Sequence, residues 1–194
     1  MSGLVRIAAS LRIPVYMSRL TESAIAWGAD QPELRLFEAG QRLRIGDIDV
    51  SSFTVPHDAA DPVGFTLAAD GVKLGILTDL GYIPESVRFH LRGTHFLILE
   101  SNHDLEMLKV GPYPWSVKQR VMGRRGHLSN DLAAEFIREG LDATTETLVL
   151  GHLSEHNNHP EIARLAAMQA LAERALRLRL VVAAPGRQSE LFHL

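Results

Sequence analysis

Apolar and polar residues alternate in several short segments of the sequence, and this pattern predicts β-strands. Two such segments, 63–69 and 72–77, lie on either side of Asp70-Gly71, a pair that is typical of a tight hairpin turn. Further strands are predicted for 34–37, 42–45, 48–55, 96–99, 147–150 and 178–182, and an extended segment for 15–17. Strands therefore dominate the first half of the chain.

Apolar residues at helical spacing predict helices between and after these strands. Ser129 or Asn130 caps one helix, and Pro160 opens a long helix that runs to about Leu176. Shorter helices are predicted for 3–11, for 21–27 with Thr21 as the cap and Gly28 ending the helix, and directly after Pro84. Because strands come first and then alternate with helices, we expect a mixed α/β (α+β) fold with sheets flanked by helices.

The apolar residues of the long helix recur at near-helical spacing. They are Ile162, Leu165, Ala166, Met168, Ala172 and Leu176. A stripe of this kind is typical of a helix face that packs into a core. We therefore expect this face to be buried rather than to bind a partner.

The composition is that of an ordinary globular protein, with 46% hydrophobic residues, 22% charged residues and a formal net charge of −3. Residues 1–194 suit a single domain. The net charge gives no general preference for nucleic acid, although a local basic patch is compatible with it. Cysteine is absent, so any metal site must use His, Asp or Glu. The sequence shows neither a membrane span nor a secretory signal, and we expect a cytoplasmic protein.

Histidine and aspartate occur where predicted strands end. His57, Asp79 and His152 each follow a strand, and His127 directly precedes a predicted helix. Side chains at strand ends suit chemistry, because the sheet fixes their positions while the adjoining loop leaves them accessible. Imidazole and carboxylate are the usual protein ligands of zinc and similar divalent ions. These residues are therefore candidates for a metal-dependent active site.

Seven short motifs, in a fixed order, carry a family resemblance. They are Val55-Pro56-His57-Asp58-Ala59, Pro62-Val63-Gly64-Phe65, Leu77-Thr78-Asp79-Leu80-Gly81, Glu100-Ser101-Asn102-His103-Asp104, Tyr113-Pro114-Trp115, Arg125-Gly126-His127-Leu128-Ser129-Asn130 and Gly151-His152-Leu153-Ser154-Glu155-His156-Asn157-Asn158. Because it has these motifs in this order, the chain resembles metallo-β-lactamase-fold hydrolases. The resemblance is greatest to the YycJ-like branch, which is related to RNase Z and to the phosphodiesterase PhnP. The resemblance implies an αββα sandwich with a dinuclear site for zinc or manganese.

The resemblance also implies roles for individual residues. His57 and His152 match metal ligands, and Asp79 matches the carboxylate that bridges two metal ions. His127 matches a histidine that is not a ligand and faces the scissile phosphate in the phosphodiesterase relatives. Structural alternatives exist for each of them: a hydrogen-bonded strand-end histidine, a turn aspartate before Gly81, and a histidine that is incidental to a helix cap.

Other residues near these motifs have weaker assignments. Glu100, Asn102 and His103 match positions that line the site in the YycJ-like branch. Arg124 and Arg125 belong to a basic run before His127, which also includes Lys118 and Arg120. Such a run contacts phosphate in nucleic-acid-binding sites, but it is more often a solvated helix face.

The chain departs from the family in one respect. The signature His-x-His-x-Asp-His, which supplies further metal ligands in family members, does not occur in it. Its first residues, Met1-Ser2-Gly3-Leu4, resemble the family sequence that follows the signature, so we expect the N-terminal strands to be missing as well. A catalytic zinc normally keeps three protein ligands. Weak metal binding is therefore expected for this chain alone, and an unpaired sheet edge favours a homo-oligomer.

The resemblance points to a metal-dependent hydrolase of phosphodiester bonds, with nucleic acid as its expected substrate. Two alternatives remain open at the level of the sequence. The chain is a non-catalytic fragment or pseudoenzyme, or it hydrolyses small cyclic phosphates or esters. A fold of this kind serves many chemistries, so the site must decide between them.

Overall fold

The structure, a computed structural model, describes residues 2–27 and 31–194. The elements follow one another in the order α1 (Ser2–Leu11), β1 (Val15–Ser18), α2 (Arg19–Ser23), β2 (Leu34–Phe37), β3 (Arg42–Ile45), β4 (Ile48–Thr54), β5 (Val63–Ala69), β6 (Val72–Leu77), α3 (Glu85–Leu91), β7 (Phe96–Glu100), α4 (Leu105–Val110), α5 (Trp115–Met122), α6 (Asn130–Glu139), β8 (Thr147–Gly151), α7 (Pro160–Glu173) and β9 (Arg179–Val182). The predicted mixed α/β fold is confirmed.

In the described part of the chain, β3 to β9 form one mixed sheet of seven strands in sequence order, and β1 pairs with β2 in parallel. The pairs from β3 to β6 are antiparallel, and those from β6 to β9 are parallel. Strands β4, β6, β7 and β8 therefore run in the same direction, and their carboxyl ends meet at one edge of the sheet. The hairpin between β5 and β6 turns at Asp70 and Gly71, as predicted, with φ of +50° and +81°.

The core lies between the sheet and the helices α6 and α7. Leucine and phenylalanine side chains of β4 and β6 to β8 pack against α6 residues such as Phe136 and Ile137, and against the small side chains of α7. Burial of these apolar side chains supplies the main stabilisation of the fold. The rigid layer so formed holds the sheet edge that carries the candidate site.

The stripe predicted to face the core on the long helix is only partly correct, because Ala166 and Leu176 pack against the core but the larger residues of the stripe on α7 do not. Ile162, Leu165 and Met168 are 37%, 57% and 53% exposed, whereas Ala163 and Ala167 are buried. The helix has apolar residues around most of its circumference, so spacing alone does not determine which face is buried. The alanine face packs inward because small side chains let the helix approach its neighbours closely.

The N-terminal part differs from the prediction at one helix. Ser18, not Thr21, caps α2, since the Ser18 side chain accepts a hydrogen bond from the Thr21 backbone N–H, and the helix ends at Ser23. Gly28, which was expected to end this helix, lies outside the described residues. Among the described residues, no helix has the length and apolar character needed to cross a membrane.

Candidate active site

Four strand ends bring the predicted site residues together. His57 lies in the loop after β4, Asp79 in the loop after β6, and His152 directly after β8. Glu100 is the last residue of β7, which lies between β6 and β8. The parallel arrangement therefore places all four side chains at one sheet edge.

Two of these residues have an unusual backbone conformation. Asp79 and His152 adopt φ of +60° and +57°, in the left-handed region that favours glycine. Side chains held there are a recurring feature of functional sites, where the surrounding fold stabilises the strained conformation. The turn at Asp79 directs its carboxylate to the site, where it lies next to both His57 and His152.

Glu100 organises the centre of the site. Its carboxylate is fully buried, and Oε1 accepts hydrogen bonds from Nδ1 of His127 at 2.7 Å and from Nδ1 of His152 at 2.9 Å. Oε2 accepts a hydrogen bond from the backbone N–H of Leu80 at 3.0 Å. An ionised carboxylate only accepts, so both imidazoles carry hydrogen on Nδ1 and present Nε2 as the free nitrogen.

These hydrogen bonds also shift the pKa values of Glu100 and His152. Burial alone raises the pKa of Glu100, but the hydrogen bonds from His127, His152 and the Leu80 N–H outweigh it, so the pKa lies below its usual value. The hydrogen bond to Glu100 raises the pKa of His152, and the negative charges of Glu100 and Asp79 act in the same direction against burial. Glu100 is thus ionised at neutral pH.

His57 is fixed in a comparable way. Its Nδ1 donates to the backbone carbonyl of Gly126 at 2.9 Å, so its Nε2 is also the free nitrogen. The ring centroid of His127 lies 5.0 Å from that of His57 and 5.2 Å from that of His152. The ring of His127 is therefore a neighbour of both other rings.

Asp79 approaches two of the imidazoles. Its Oδ1 lies 4.0 Å from Nε2 of His57 and 3.8 Å from Nδ1 of His152. The hydroxyl of Thr78 donates to Oδ2 of Asp79 at 3.0 Å and orients the carboxylate. The side chain of Asp79 is 47% exposed, so the carboxylate is open to solvent as well as to the histidines.

The donor set fits a divalent metal. Within the described residues, His57, Asp79 and His127 form one group whose ligand atoms lie within 4.8 Å of one another, and Glu100, His127 and His152 form another. Imidazoles that are tied through Nδ1 to a carboxylate or a backbone carbonyl are typical of metal ligands, because the second hydrogen bond fixes the tautomer. Both groups contain His127, so its position is compatible with ligation as well as with a contact to phosphate.

The loop that carries His127 is pressed against the loop that carries Asp79. A Cβ on Gly81 would lie 2.4 Å from the carbonyl oxygen of Gly123 and 2.5 Å from that of Arg124. Only glycine fits at position 81, because a side chain there would push the two loops apart. The sequence signal for this contact is the Asp-x-Gly motif, which leaves room for the neighbouring loop.

The four basic residues before His127 have different surroundings. Lys118 is buried and donates to the carbonyl of Lys109, and Arg120 forms an ion pair with Asp58. Arg124 and Arg125 instead line a groove of about 630 Å³ beside His57. We call it the arginine groove, and its other lining residues are Thr54, Val55, Pro56, Ala59, Ala60, Asp61, Pro62 and Tyr82.

A second cavity is lined by His127 and His152, whereas the arginine groove is lined by His57. This cavity, of about 320 Å³, is lined by Asn102, Tyr113, Val121, His127, His152, Leu153, Ser154, Glu155, His156 and Asn157. Asn102 donates from Nδ2 to the carbonyl of His152 at 2.8 Å and so supports that histidine. His103, predicted to line the site, is buried and lies in neither cavity; its carbonyl accepts from the N–H of Asn130.

Sequence reasoning missed Tyr82. The guanidinium carbon of Arg124 lies 4.1 Å from the centroid of the Tyr82 ring. No local pattern indicates this contact, because the two residues are distant in sequence and lie in different loops. The helices α4 and α5, which precede that loop, were missed as well.

Residues 2–153 match the family described as Beta-lactamase superfamily domain. The site and the fold thus agree with the sequence match, and the chain belongs to the beta-lactamase superfamily. It is 35% identical over 175 residues to Exodeoxyribonuclease YycJ of Bacillus anthracis, an alignment that covers 89% of this chain and 66% of the relative. It is 37% identical over 144 residues to Exodeoxyribonuclease WalJ of Streptococcus pneumoniae, covering 74% of this chain and 54% of the relative.

The chain therefore spans between about half and two thirds of the length of these relatives. Among solved structures, zinc-bound PqqB of Methylobacterium extorquens is similar, with a TM-score of 0.65, 16% identity, and coverage of 98% of this chain and 69% of that one. At this identity the likeness concerns the fold alone, and it confirms the predicted metallo-β-lactamase-type architecture.

Proposed function

We propose that this chain carries the catalytic edge of a metal-dependent phosphodiesterase that acts on DNA. The observation that carries the proposal is the pair of hydrogen bonds by which buried Glu100 holds His127 and His152 beside Asp79. The names of the relatives, both exodeoxyribonucleases, support DNA as the substrate. A groove with two open arginines at the same site supports it independently, because DNA is a polyanion.

His57, Asp79 and His152 would hold the metal, which we propose to be zinc or manganese, with two ions in the complete site. Their free nitrogens and the open carboxylate are the ligand types that these ions prefer. The chemistry that divalent ions supply in such a site is a nucleophile at neutral pH and neutralisation of charge on the phosphoryl oxygens. The chain itself contributes fixed ligand orientation, since Gly126 and Glu100 already engage the Nδ1 atoms.

His127 would act on the substrate. Its Nδ1 donates to Glu100, so Nε2 is the atom available to the phosphate or to the departing oxygen. When the ring also carries a hydrogen on Nε2, it can pass that hydrogen to the oxygen that leaves. Glu100 is thereby a positioning residue, because it acts through His127 and not on the substrate.

The arginine groove would hold the DNA next to the bond that is cleaved. Arg125 donates from Nε to the carbonyl of His57 at 3.2 Å, so its remaining guanidinium nitrogens stay near the metal ligand. Guanidinium groups bind phosphate through charge-assisted hydrogen bonds. The groove would therefore orient the backbone of the substrate relative to Asp79 and His127.

The cytoplasmic location and the homo-oligomer expected from the sequence remain predictions.

The test measures metal-dependent hydrolysis of a labelled DNA oligonucleotide and of a small phosphodiester. It uses the 194-residue chain and a form that carries a His-x-His-x-Asp-His segment ahead of residue 1. We expect turnover of DNA in the longer form and little in the shorter one, because the shorter one has fewer ligands. Turnover of the small phosphodiester without turnover of DNA would replace the substrate assignment, and failure of both forms on both substrates would overturn the proposal.

Asp79→Asn is the variant that assigns the activity to this site. Asparagine keeps the shape of the side chain and tolerates positive φ, but it lacks the charge that binds metal. We expect loss of turnover and of bound metal in the longer form. Asp70→Asn is the matched control, since Asp70 also has positive φ, at +50°, and lies in the hairpin turn after β5. Equal activity of Asp79→Asn and the wild type would contradict the assignment.

A further inference from the structure

Arg124 differs from the other arginines that lie over aromatic rings. Within the described residues, five arginines have this arrangement, and four of them also have a carboxylate within 4.0 Å. The four pairs with a carboxylate are Arg35 with Glu33, Arg88 with Glu139, Arg92 with Glu85, and Arg179 with Glu190. In the part of the chain that the structure describes, Arg124 has no such partner, so its charge is not neutralised locally.

Arg124 also makes the shortest of these contacts. Its guanidinium carbon is 4.1 Å from the ring centroid of Tyr82, whereas the others lie at 5.3 to 5.7 Å. At 4.1 Å the guanidinium lies directly over the face of the ring, which favours a parallel, stacked arrangement. The side chain of Arg124 is exposed while Tyr82 is half-buried. One face of the guanidinium is therefore covered by the ring, and the other is open to the groove.

The backbone beneath this stack is fixed. The Arg124 carbonyl is pressed against Gly81, the neighbour of Tyr82, and the carbonyl of Gly126 accepts the hydrogen bond from His57. The platform and the candidate metal ligand thus belong to one connected unit. A molecule that contacts the open guanidinium face is held at a defined distance from the site.

The groove provides a surface for an aromatic ligand with a negative charge. Apolar lining comes from prolines and alanines, and the positive charges of Arg124 and Arg125 outnumber the one carboxylate of the lining, that of Asp61. A nucleotide combines a planar base with an anionic phosphate. Bases stack on guanidinium planes in single-stranded nucleic acids, whereas bases inside a duplex have their faces covered by their neighbours.

We propose that Arg124, seated on Tyr82, is a stacking platform for one unpaired base of a single-stranded DNA substrate, with the adjoining phosphate facing Arg125. The proposal rests on the proposed function and narrows its substrate class from DNA in general to DNA with an unpaired end. Tyr82 is a positioning residue in this arrangement, because it orients the guanidinium and the base contacts Arg124.

The test separates stacking from charge at position 124. Binding of a fluorescent oligothymidylate to the 194-residue chain is measured by anisotropy in EDTA, so that no cleavage occurs. Arg124→Lys keeps the charge but loses the planar group, and Arg124→Met loses both. Loss of the stacking of one base is expected to weaken the affinity for oligothymidylate by roughly fivefold or more. We expect Arg124→Lys to show such a loss, close to that of Arg124→Met, and Tyr82→Phe to bind like the wild type.

Arg35→Lys is the matched control, since Arg35 lies over Tyr16 but outside the arginine groove. It should leave binding unchanged. A blunt duplex of the same charge should lose less affinity than oligothymidylate in Arg124→Lys, because its bases are already stacked.

The proposal is overturned if Arg124→Lys binds oligothymidylate as tightly as the wild type, since charge alone then accounts for the contact. It is also overturned if the wild type does not bind oligothymidylate, or if duplex and single strand lose affinity equally. These results do not contradict the proposed function, which is tested separately by the Asp79-dependent turnover of DNA in the longer form.

Discussion

Glu100 accepts a hydrogen bond from His127 at 2.7 Å through the same oxygen that accepts the one from His152. One buried charge therefore sets the tautomer of two neighbouring imidazoles, whose ring centroids are 5.2 Å apart. The arrangement makes the two histidines interdependent, because any change at Oε1 of Glu100 reorients both. It also accounts for the burial of a carboxylate, which is unfavourable unless its oxygens are fully hydrogen-bonded.

The first prediction concerns this shared acceptor. Glu100→Gln keeps the shape of the side chain but removes the charge. Its amide oxygen is a weaker acceptor for the two imidazoles, and its NH2 group then faces the Leu80 N–H, which is also a donor. We expect metal affinity to fall by about 10- to 100-fold, as is typical when a group that orients a metal ligand is removed. Calorimetric titration with zinc or manganese measures it.

Glu161→Gln is the control for this change, because Glu161 is an exposed residue of α7 whose carboxylate pairs with Arg164. Its metal affinity should equal that of the wild type. If Glu100→Gln binds metal unchanged, the imidazoles do not depend on Glu100 and its role is confined to folding.

His127→Ala distinguishes a residue that acts on phosphate from a metal ligand. If His127 acts on phosphate, the metal content of His127→Ala stays near that of the wild type, while turnover of the longer form falls by about 10²- to 10³-fold. A loss of this size is usual when one contact to the charge that develops in the reaction is removed. We expect this outcome. Metal content by atomic emission and turnover are measured on the same samples.

The central position of His127 makes the opposite result informative. If His127→Ala loses metal together with activity, His127 is a ligand, as the group with His57 and Asp79 permits. His193→Ala serves as the control, since His193 is exposed near the C-terminus and should leave both quantities unchanged.

Gly81→Ala tests the contact between the Asp79 loop and the His127 loop. The added Cβ would lie within 2.5 Å of the backbone of residues 123 and 124, so the two loops must separate. Overpacking of this kind costs about 1–3 kcal/mol of stability. We expect a lower thermal midpoint and weaker metal binding, because the displaced loop also holds the carbonyl of Gly126 that orients His57.

Gly3→Ala is the matched control for Gly81→Ala. A Cβ on Gly3 meets nothing within 4 Å, and alanine is the better helix former in α1. Its thermal midpoint should be equal to that of the wild type or higher. Equal stability of Gly81→Ala and the wild type would show that the loops are not in contact in solution.

Much of the sheet was predictable from the sequence because local signals agreed there. Alternating residues, the Asp70-Gly71 turn and short apolar runs specify strands whose neighbours in sequence are also neighbours in space. The same signals placed His57, Asp79 and His152 at strand ends. Parallel pairing from β6 to β8 then brought these ends together, which depends on tertiary structure and not on local pattern.

Other features depended on packing that spacing does not encode. The buried face of α7 consists of three alanines and Leu171, whereas Ile162, Leu165 and Met168 remain exposed. Likewise, the basic run before His127 gave no indication that Arg120 pairs with Asp58 while Arg124 stacks on Tyr82. Such pairings join residues that are distant in sequence, so one chain without its fold cannot identify them.

The last prediction concerns His103 and acid pH. Its side chain is 1% exposed, and Nδ1 has no hydrogen-bond partner within residues 2–27 and 31–194. Burial lowers the pKa of His103 from its ordinary 6.5 to about 4, and it outweighs the nearby carboxylates of Glu100 and Asp104, which act to raise the pKa. Above about pH 6.5 the imidazole is neutral in both the folded and the unfolded chain, so it has no effect on stability there.

Between about pH 6.5 and pH 4 the unfolded chain takes up a proton that the folded chain does not, so stability falls as the pH falls. The full loss is about 3 kcal/mol at the acid end of this window. Urea unfolding at a series of pH values measures it. His103→Gln cannot titrate, and we expect its stability to decline less steeply over the same window. Some decline should remain, because burial also lowers the pKa of His90. An identical decline in His103→Gln and the wild type would show that His103 is accessible to protons in the folded chain.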